Sequence, residues 1–285
     1  MNAGGRAART LRRAWKAAQT LLLYAALIAV ALVTTGPFLW LLSTSLKTVG
    51  NVYAFPPQII PRPISLDNMI GVWRLLDLQK YLLNTIHVTA AGLLLTLVVC
   101  ALAAYPLARM EFPGRNFIFL ALVSTLVLPN PAGMVINFLT LQKLRLINTL
   151  PAVYLPSVGN AFGIFLLRQT YLSIPAELED AARVDGAGEL TIWWRVALPL
   201  AKPGIATLAI FNFMGHWNNF LWPLIVLQDP DKYPIATALE YLEGMFQDNF
   251  RYVAAGTMFS MVPVLVVFFS MQRYFVSGLA GALKG

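Results

Sequence analysis

The sequence is poor in the residues that soluble chemistry draws on. One cysteine, Cys100, stands in 285 residues, which excludes an intrachain disulfide and any multi-cysteine metal site. Two histidines, His87 and His216, lie in different apolar stretches with no acid nearby. Neither a zinc centre nor a Ser/His or paired-acid catalytic cluster is provided for. Charged residues make up 12% of the chain, about half the roughly 25% usual in soluble domains. No G-x-x-x-x-G-K-[ST] run occurs, so the chain brings no phosphate loop of its own. Internal repeats of 20–50 residues and low-complexity linkers are also missing, and the chain reads as one domain.

What is abundant is apolar: 58% of residues are hydrophobic and the mean hydropathy is +0.65. A spanning helix needs about 20 mostly apolar residues. Six such stretches occur, at roughly 20–46, 83–108, 116–138, 149–168, 203–227 and 255–276. The expected fold class is all-α, a polytopic membrane protein with six transmembrane helices. The opening MNAGGRAARTLRRAWK carries Arg6, Arg9, Arg12, Arg13 and Lys16 and no acid. The apolar run behind it exceeds the roughly 7–15-residue core of a cleaved signal peptide. Residues 1–19 are therefore read as a basic cytoplasmic arm and 20–285 as a six-helix transmembrane domain. Lys and Arg concentrate in cytoplasmic loops, so with six crossings both termini are expected inside. Arg109, Arg115, Arg168, Arg183, Arg195, Lys202, Arg273 and Lys284 then fall inside as well. The net charge of +8 reads as a topology signal, because no basic stripe with interleaved aromatics offers a nucleic-acid site. Every stretch holds a helix breaker: Pro37, Pro106, Pro129 with Pro131, Pro156, Pro223 and Pro263. Such breaks survive in lipid where neighbouring helices or a wet cavity satisfy the freed backbone groups.

Between the fourth and fifth stretches lies ELEDAARVDGAGELTIWWRVALP, residues 177–199. Pro175 suits a helix start, and Glu177, Glu179 and Asp180 put negative charge at the positive end of the helix dipole. Glu179 and Arg183, four apart, can pair. Gly186 can close the helix in a left-handed conformation. A second short helix would align Leu190, Trp193, Trp194 and Ala197 in one apolar stripe, with Pro199 closing it. Helices this short are marginal alone, so something must hold them. The first offers only Leu178, Ala181, Ala182 and Val184 as apolar contacts.

The fifth stretch, ATLAIFNFMGHWNNFLWPLIVL, is the most polar of the six. Asn212, His216 and Asn219 recur at i, i+4 and i+7, one helical face. Asn218 and Trp222 are four apart on an adjoining face, with Trp217 nearby. Polar groups at such depth face a cavity or bond a neighbouring helix. Asn84, Thr85, Asn130 and Asn137 are further candidates.

Segment 177–199 resembles the cytoplasmic-loop signature of permease subunits of binding-protein-dependent ABC importers. That signature is Glu-Ala-Ala, three residues, Gly, nine residues, Ile, one residue, Leu-Pro. Here Asp180, Ala181 and Ala182, then Gly186, then Val196, then Leu198 and Pro199 take those places, with Asp for Glu and Val for Ile. FGIFLLRQTYLSIPAELEDAARVDGA, GHWNNFLWPL, SLK at 45–47, FPPQ at 55–58, AAYPLAR at 103–109 and the terminal GALKG are similar to the carbohydrate-importing, maltose-type branch. The resemblance covers nearly the whole chain. Related chains often carry Asp where Asn219 stands.

The resemblance implies the type I ABC importer permease fold and a coupling loop at about 173–200. Glu179, Asp180, Ala181, Ala182, Arg183, Asp185, Gly186, Leu198 and Pro199 would meet a separate ATP-binding subunit. The substrate pathway would take Asn212, His216, Trp217, Asn218, Asn219 and Trp222. The implied partners are a second permease chain, two ATP-binding subunits and an extracytoplasmic sugar-binding protein facing the loop from Leu227 to Tyr252. The implied place is a bacterial or archaeal cytoplasmic (inner) membrane. The chain would be no enzyme and hold no cofactor, with ATP and Mg confined to the partner subunits. A sugar or oligosaccharide fits better than glycerol phosphate, since the spans hold few interior cations. An ion-coupled secondary transporter is the alternative; it would need buried carboxylates, which the six stretches lack.

Overall fold

The computed structural model describes residues 3–48, 58–75, 77–127, 130–245 and 250–282. Among them the regular structure is helical, with a single bridge between Lys47 and Ile64. The helices are α1 (Ala3–Ser45), α2 (Asp67–Leu75), α3 (Leu78–Arg109), α4 (Arg115–Ser124), α5 (Asn130–Lys143), α6 (Leu150–Tyr154), α7 (Ala161–Leu172), α8 (Glu177–Val184), α9 (Glu189–Ile192), α10 (Leu198–Leu200), α11 (Lys202–Trp217), α12 (Leu221–Val226), α13 (Ile235–Met245) and α14 (Phe250–Ala282). An all-helical chain is what lipid demands, since a helix satisfies its backbone groups within one segment.

Trp15–Ser45, Leu78–Arg109 and Phe250–Gln272 are each long and apolar enough to cross a membrane. Two bent helix pairs reach the same length and apolarity only when taken together: Leu150–Ser157 with Ala161–Leu172 at 47°, and Glu189–Leu200 with Lys202–Trp217 at 74°. The expected crossing at 116–138 is divided between α4, which runs on into a tight turn at Thr125–Val127, and the separate α5. Pro129 there lies outside the described residues. The expected boundary at residue 19 is not a break, because α1 is continuous from Ala3. Most of FPPQ, Lys284 and the end of GALKG also fall outside the described residues.

By contacts the chain divides into two units, Met1–Gly71 with Asp248–Met258, and Val72–Gln247 with Phe259–Gly285. In the first, the SLK segment after α1 is tied down by polar contacts. Asn68 donates from Nδ2 to the carbonyls of Ser45 at 2.9 Å and Lys47 at 2.6 Å. Arg251 donates to Thr48 O at 2.6 Å, and the Lys47 ammonium sits 4.4 Å above the Trp40 ring.

In the second unit α3 is the axis. Cys100, Ala101, Ala104 and Ala108 give it a small-residue face, against which Leu167 and Tyr171 of α7 pack. Small residues let helix backbones approach closely in lipid, where apolar burial supplies little drive of its own. Leu208 of α11 joins the same cluster. Asn84 and Thr85 prove to be fasteners. Asn84 donates to Asp231 O at 2.9 Å and Tyr233 O at 3.2 Å, and Thr85 Oγ1 accepts from Ile235 N at 2.7 Å. Asn137 is exposed, and the Asn130 side chain lies outside the described residues.

Candidate functional site

The first candidate region is the segment around α8. Its start has the expected acids, Glu177, Glu179 and Asp180, in the first turn. Its end is a Schellman motif: Ala187 N–H donates to Ala182 O and Gly186 N–H to Arg183 O, both at 3.0 Å, with Gly186 at φ 83°. A residue with a Cβ is disfavoured there by about 1–2 kcal/mol.

A single side chain of α8 is buried, that of Glu179, at 1% exposure. Arg109, in the last turn of α3, places Nε 2.9 Å from its carboxylate. The Tyr105 hydroxyl donates to it at 3.4 Å and to Glu189 at 3.2 Å. Arg109 also donates to the carbonyl of Ile174, just ahead of α8. Arg183 lies 3.7 Å from Glu179, and its tighter partners are Asp180 at 2.7 Å and Glu189 at 2.8 Å. Its hydrogen bond to Glu189 holds the Arg183 guanidinium above its ordinary range in spite of desolvation, with a lesser contribution from the bond it donates to Asp180.

The opposite face is bare. Leu178, Asp180, Ala181, Val184, Asp185 and Gly186 are exposed, Val184 to 89%, and Ala182 is half-buried. Leu198 is half-buried and Pro199 exposed. Glu179, expected among the outward docking residues, is therefore an inward one. The apolar stripe expected of the second short helix also divides. Residues Trp193–Ala197 form a π-helical turn, whose extra residue per turn re-aims the side chains. Trp193 and Ala197 are buried while Leu190 and Trp194 are exposed. Trp193 Nε1 donates to the Tyr171 hydroxyl at 3.1 Å.

The second region is a cleft of about 580 Å³ between α7 and α11, lined by Ser157, Asn160, Asn212, His216, Asn219 and the rings of Phe162 and Phe211, among others. Asn160 caps α7 by accepting from Gly163 N at 2.6 Å, and its amide reaches Asn212 Oδ1 at 3.4 Å. Asn212 in turn donates to Leu208 O at 3.1 Å. Phe162 and Phe211 meet edge to face with centroids 5.6 Å apart. His216 is buried at 6% exposure, and its Nε2 has no hydrogen-bond partner among the described residues. The ring fits because position 92 on α3 is glycine; a Cβ there would stand 2.6 Å from it.

Of the predicted pathway residues, Asn212, His216 and Asn219 come together here, although not as one helical face. The helix α11 ends at Trp217, and Asn219 lies beyond it, accepting from Trp222 N at 3.4 Å. Breaking at 218–220 also removes the expected pairing of Asn218 with Trp222. Asn218 is exposed and donates to Met214 O at 3.0 Å. Trp217 and Trp222 are buried fasteners, donating from Nε1 to Ser260 O and Ala152 O, each at 3.1 Å. Asn160, Phe162, Phe211 and Gly92 were missed. Asn160 had a readable signal, a lone amide at the head of an apolar helix.

Comparison with known proteins matches residues 96–281 to the family described as binding-protein-dependent transport system inner membrane component. The arabinooligosaccharides transport system permease protein AraQ of Halalkalibacterium halodurans is 36% identical over 85% of this chain and 86% of its own length. The melibiose/raffinose/stachyose import permease protein MelC of Bacillus subtilis is 34% identical over 98% of this chain and 100% of its own. A crystal structure of a bacterial ABC transporter involved in the import of the acidic polysaccharide alginate superposes with a TM-score of 0.80 at 27% identity, covering 92% of this chain and 97% of that one. Hydrolysis in such systems belongs to separate ATP-binding subunits, and this chain has no phosphate loop. It belongs to the inner-membrane components of binding-protein-dependent transport systems, as a multi-pass permease subunit of the carbohydrate ABC importer type.

Proposed function

We propose that this permease imports a neutral sugar or oligosaccharide, and that α8 is the element through which ATP-binding subunits drive it. The observation that carries the reading is the two-sided α8: one face bare, with Leu178, Ala181 and Val184 set among the acids Glu177 and Asp185, the other fixed through Glu179. An eight-residue helix is too short to persist alone and exposes what a partner would cover. Asp180, Ala181, Ala182, Arg183, Asp185, Gly186, Leu198 and Pro199 form that docking segment, with Glu179 holding it from behind.

The complex comprises this chain, a second permease chain in a heterodimer, two ATP-binding subunits and an extracytoplasmic sugar-binding protein. Both termini and α8 lie on the cytoplasmic side, which the basic residues of 1–19 and Arg109, Arg183 and Arg195 favour. Segment 227–252 then faces the binding protein.

The cleft suits the solute's chemistry. Amides, hydroxyls and aromatic edges recognise sugar hydroxyls and ring faces, and about 580 Å³ lies within the range of small-molecule sites. Its lining residues include no lysine, arginine or carboxylate, whereas a phosphate ester calls for a cation. Reconstitution of the complete complex in proteoliposomes tests the reading. Uptake of a neutral trisaccharide such as raffinose should require internal ATP and survive an ionophore, with glycerol phosphate excluded. Ionophore-sensitive uptake without ATP would replace it with ion coupling.

A further inference from the structure

Arg109 is absent from the signature of segment 177–199, yet it holds that segment more directly than any residue within it. We propose that Arg109 is the positioning residue that makes α8 and α3 move as one body, so that displacement of α8 reaches the cleft through α3. The inference rests on α8 being the docking element.

The Glu179 carboxylate is buried, and an uncompensated buried charge is costly. Arg109 meets it at 2.9 Å and also binds the Ile174 carbonyl, so one guanidinium grips α8 and the segment leading into it. Tyr105, one turn earlier on α3, ties Glu179 to Glu189 beyond Gly186. The covalent routes from α8 to the bundle, by contrast, pass through non-helical bends on both sides, Ser173–Ala176 before it and Asp185–Gly188 after it, the second followed by the 74° bend before α11. From Arg109 the same helix runs back to Gly92, about 25 Å at 1.5 Å per residue, where it packs against His216 in the cleft. One helix, interrupted only by Pro106 one turn from Arg109, therefore meets the driven segment at its C-terminal end and the His216 ring of the cleft at its middle. Arg183 makes stronger-looking contacts, but with Asp180 and Glu189, both within the driven segment.

The test is the number of ATP molecules hydrolysed per sugar imported by the full complex in proteoliposomes, measured for R109Q and R109K. A loosened joint wastes hydrolysis, so the ratio should rise at least fivefold in R109Q and severalfold in R109K, which keeps the charge but loses the two-way grip. If R109Q does not assemble, R109K decides. In R109Q/E179Q the neutral amides can hydrogen-bond without a stranded charge, and the ratio should return at least halfway to the original. A merely structural role lowers uptake and hydrolysis in proportion; an unchanged ratio in assembled R109K would overturn the proposal. If instead the original complex holds no ATP-binding subunit, the docking reading fails first, and the two failures are distinguishable.

Discussion

The α8 segment and the α7–α11 cleft both adjoin α3, through Arg109 and through Gly92 against His216, and treat polarity in opposite ways. Around α8 the charged groups find partners within the chain: Glu179 with Arg109, and Arg183 with Asp180 and Glu189. Left outward, beside the exposed acids Glu177 and Asp185, are the apolar side chains of Val184 and Leu178. In the cleft the walls are uncharged, and what is left unpartnered is polar, the buried Nε2 of His216. Opposite charges paired inside, Arg109 Nε and Glu179 Oε1 at 2.9 Å without hydrogen-bond alignment, serve to hold a shape and leave the outer face free to be covered by protein. Under the proposed function, neutral polar groups left partly open suit a hydroxylated guest that must bind and then leave. A deep charge pair would grip too firmly or cost too much desolvation for that purpose.

The comparison can be broken most severely at Gly186. Replacing it with Trp forces a bulky residue into φ 83° and dismantles the cap, and sugar uptake should fall to background at unchanged membrane abundance. Asp180→Lys, which inverts charge on the bare face, should do the same. Labelled-sugar uptake beside a membrane immunoblot reads both, and normal uptake by both would remove α8 from the drive train. Next in size is Gly92→Ala. Its methyl would press on His216 from 2.6 Å, and overpacking of this kind costs about 1–3 kcal/mol. A tenfold loss of uptake is expected at unchanged membrane abundance; unchanged uptake would show that the His216 ring and Tyr154, 3.0 Å from the added methyl, yield without cost.

Smaller effects sharpen the contrast. Asn212→Leu removes one hydrogen-bonding group from the cleft, worth about 1 kcal/mol. The apparent KM for sugar should rise about fivefold while ATP per sugar stays constant; a changed ratio with constant KM would move Asn212 from the guest's path to the drive. Arg183→Ala should matter least. Its tighter partners, Asp180 and Glu189, are at least partly exposed, and buried Glu179 is reached only at 3.7 Å; surface pairs contribute about 0.2–1 kcal/mol. Less than a twofold change in uptake is expected, and a loss comparable to R109Q would erase the distinction between the inner and outer arginines.

Much of this was legible in the sequence because it is written in local chemistry. Gly186 as a helix stop and the acids of the first turn follow from neighbours within a few residues, and the structure places them as read. Apolar length alone located α1, α3 and α14. The i,i+4 pairing of Glu179 with Arg183 is met at 3.7 Å, but the inward turn of Glu179 was not legible, because its closer partner Arg109 lies 70 positions away. The Trp193 stripe failed because a π-turn changes the period on which stripes are counted. The fifth stretch reads as one helix since nothing in GHWNNFLW forbids continuation locally. The break at 218–220 goes with tertiary contacts, Trp217 to Ser260 and Trp222 to Ala152, that no periodicity records.

The central claim is that this permease is driven through α8 by subunits it does not contain. The direct measurement is purification of the C-terminally tagged chain from its native membrane in mild detergent, with mass spectrometry of what accompanies it, repeated with Asp180→Lys. The account predicts an ATP-binding subunit and a second permease chain with the original protein, and loss of the ATP-binding subunit with the variant. A chain that purifies alone and transports sugar alone in liposomes would contradict it.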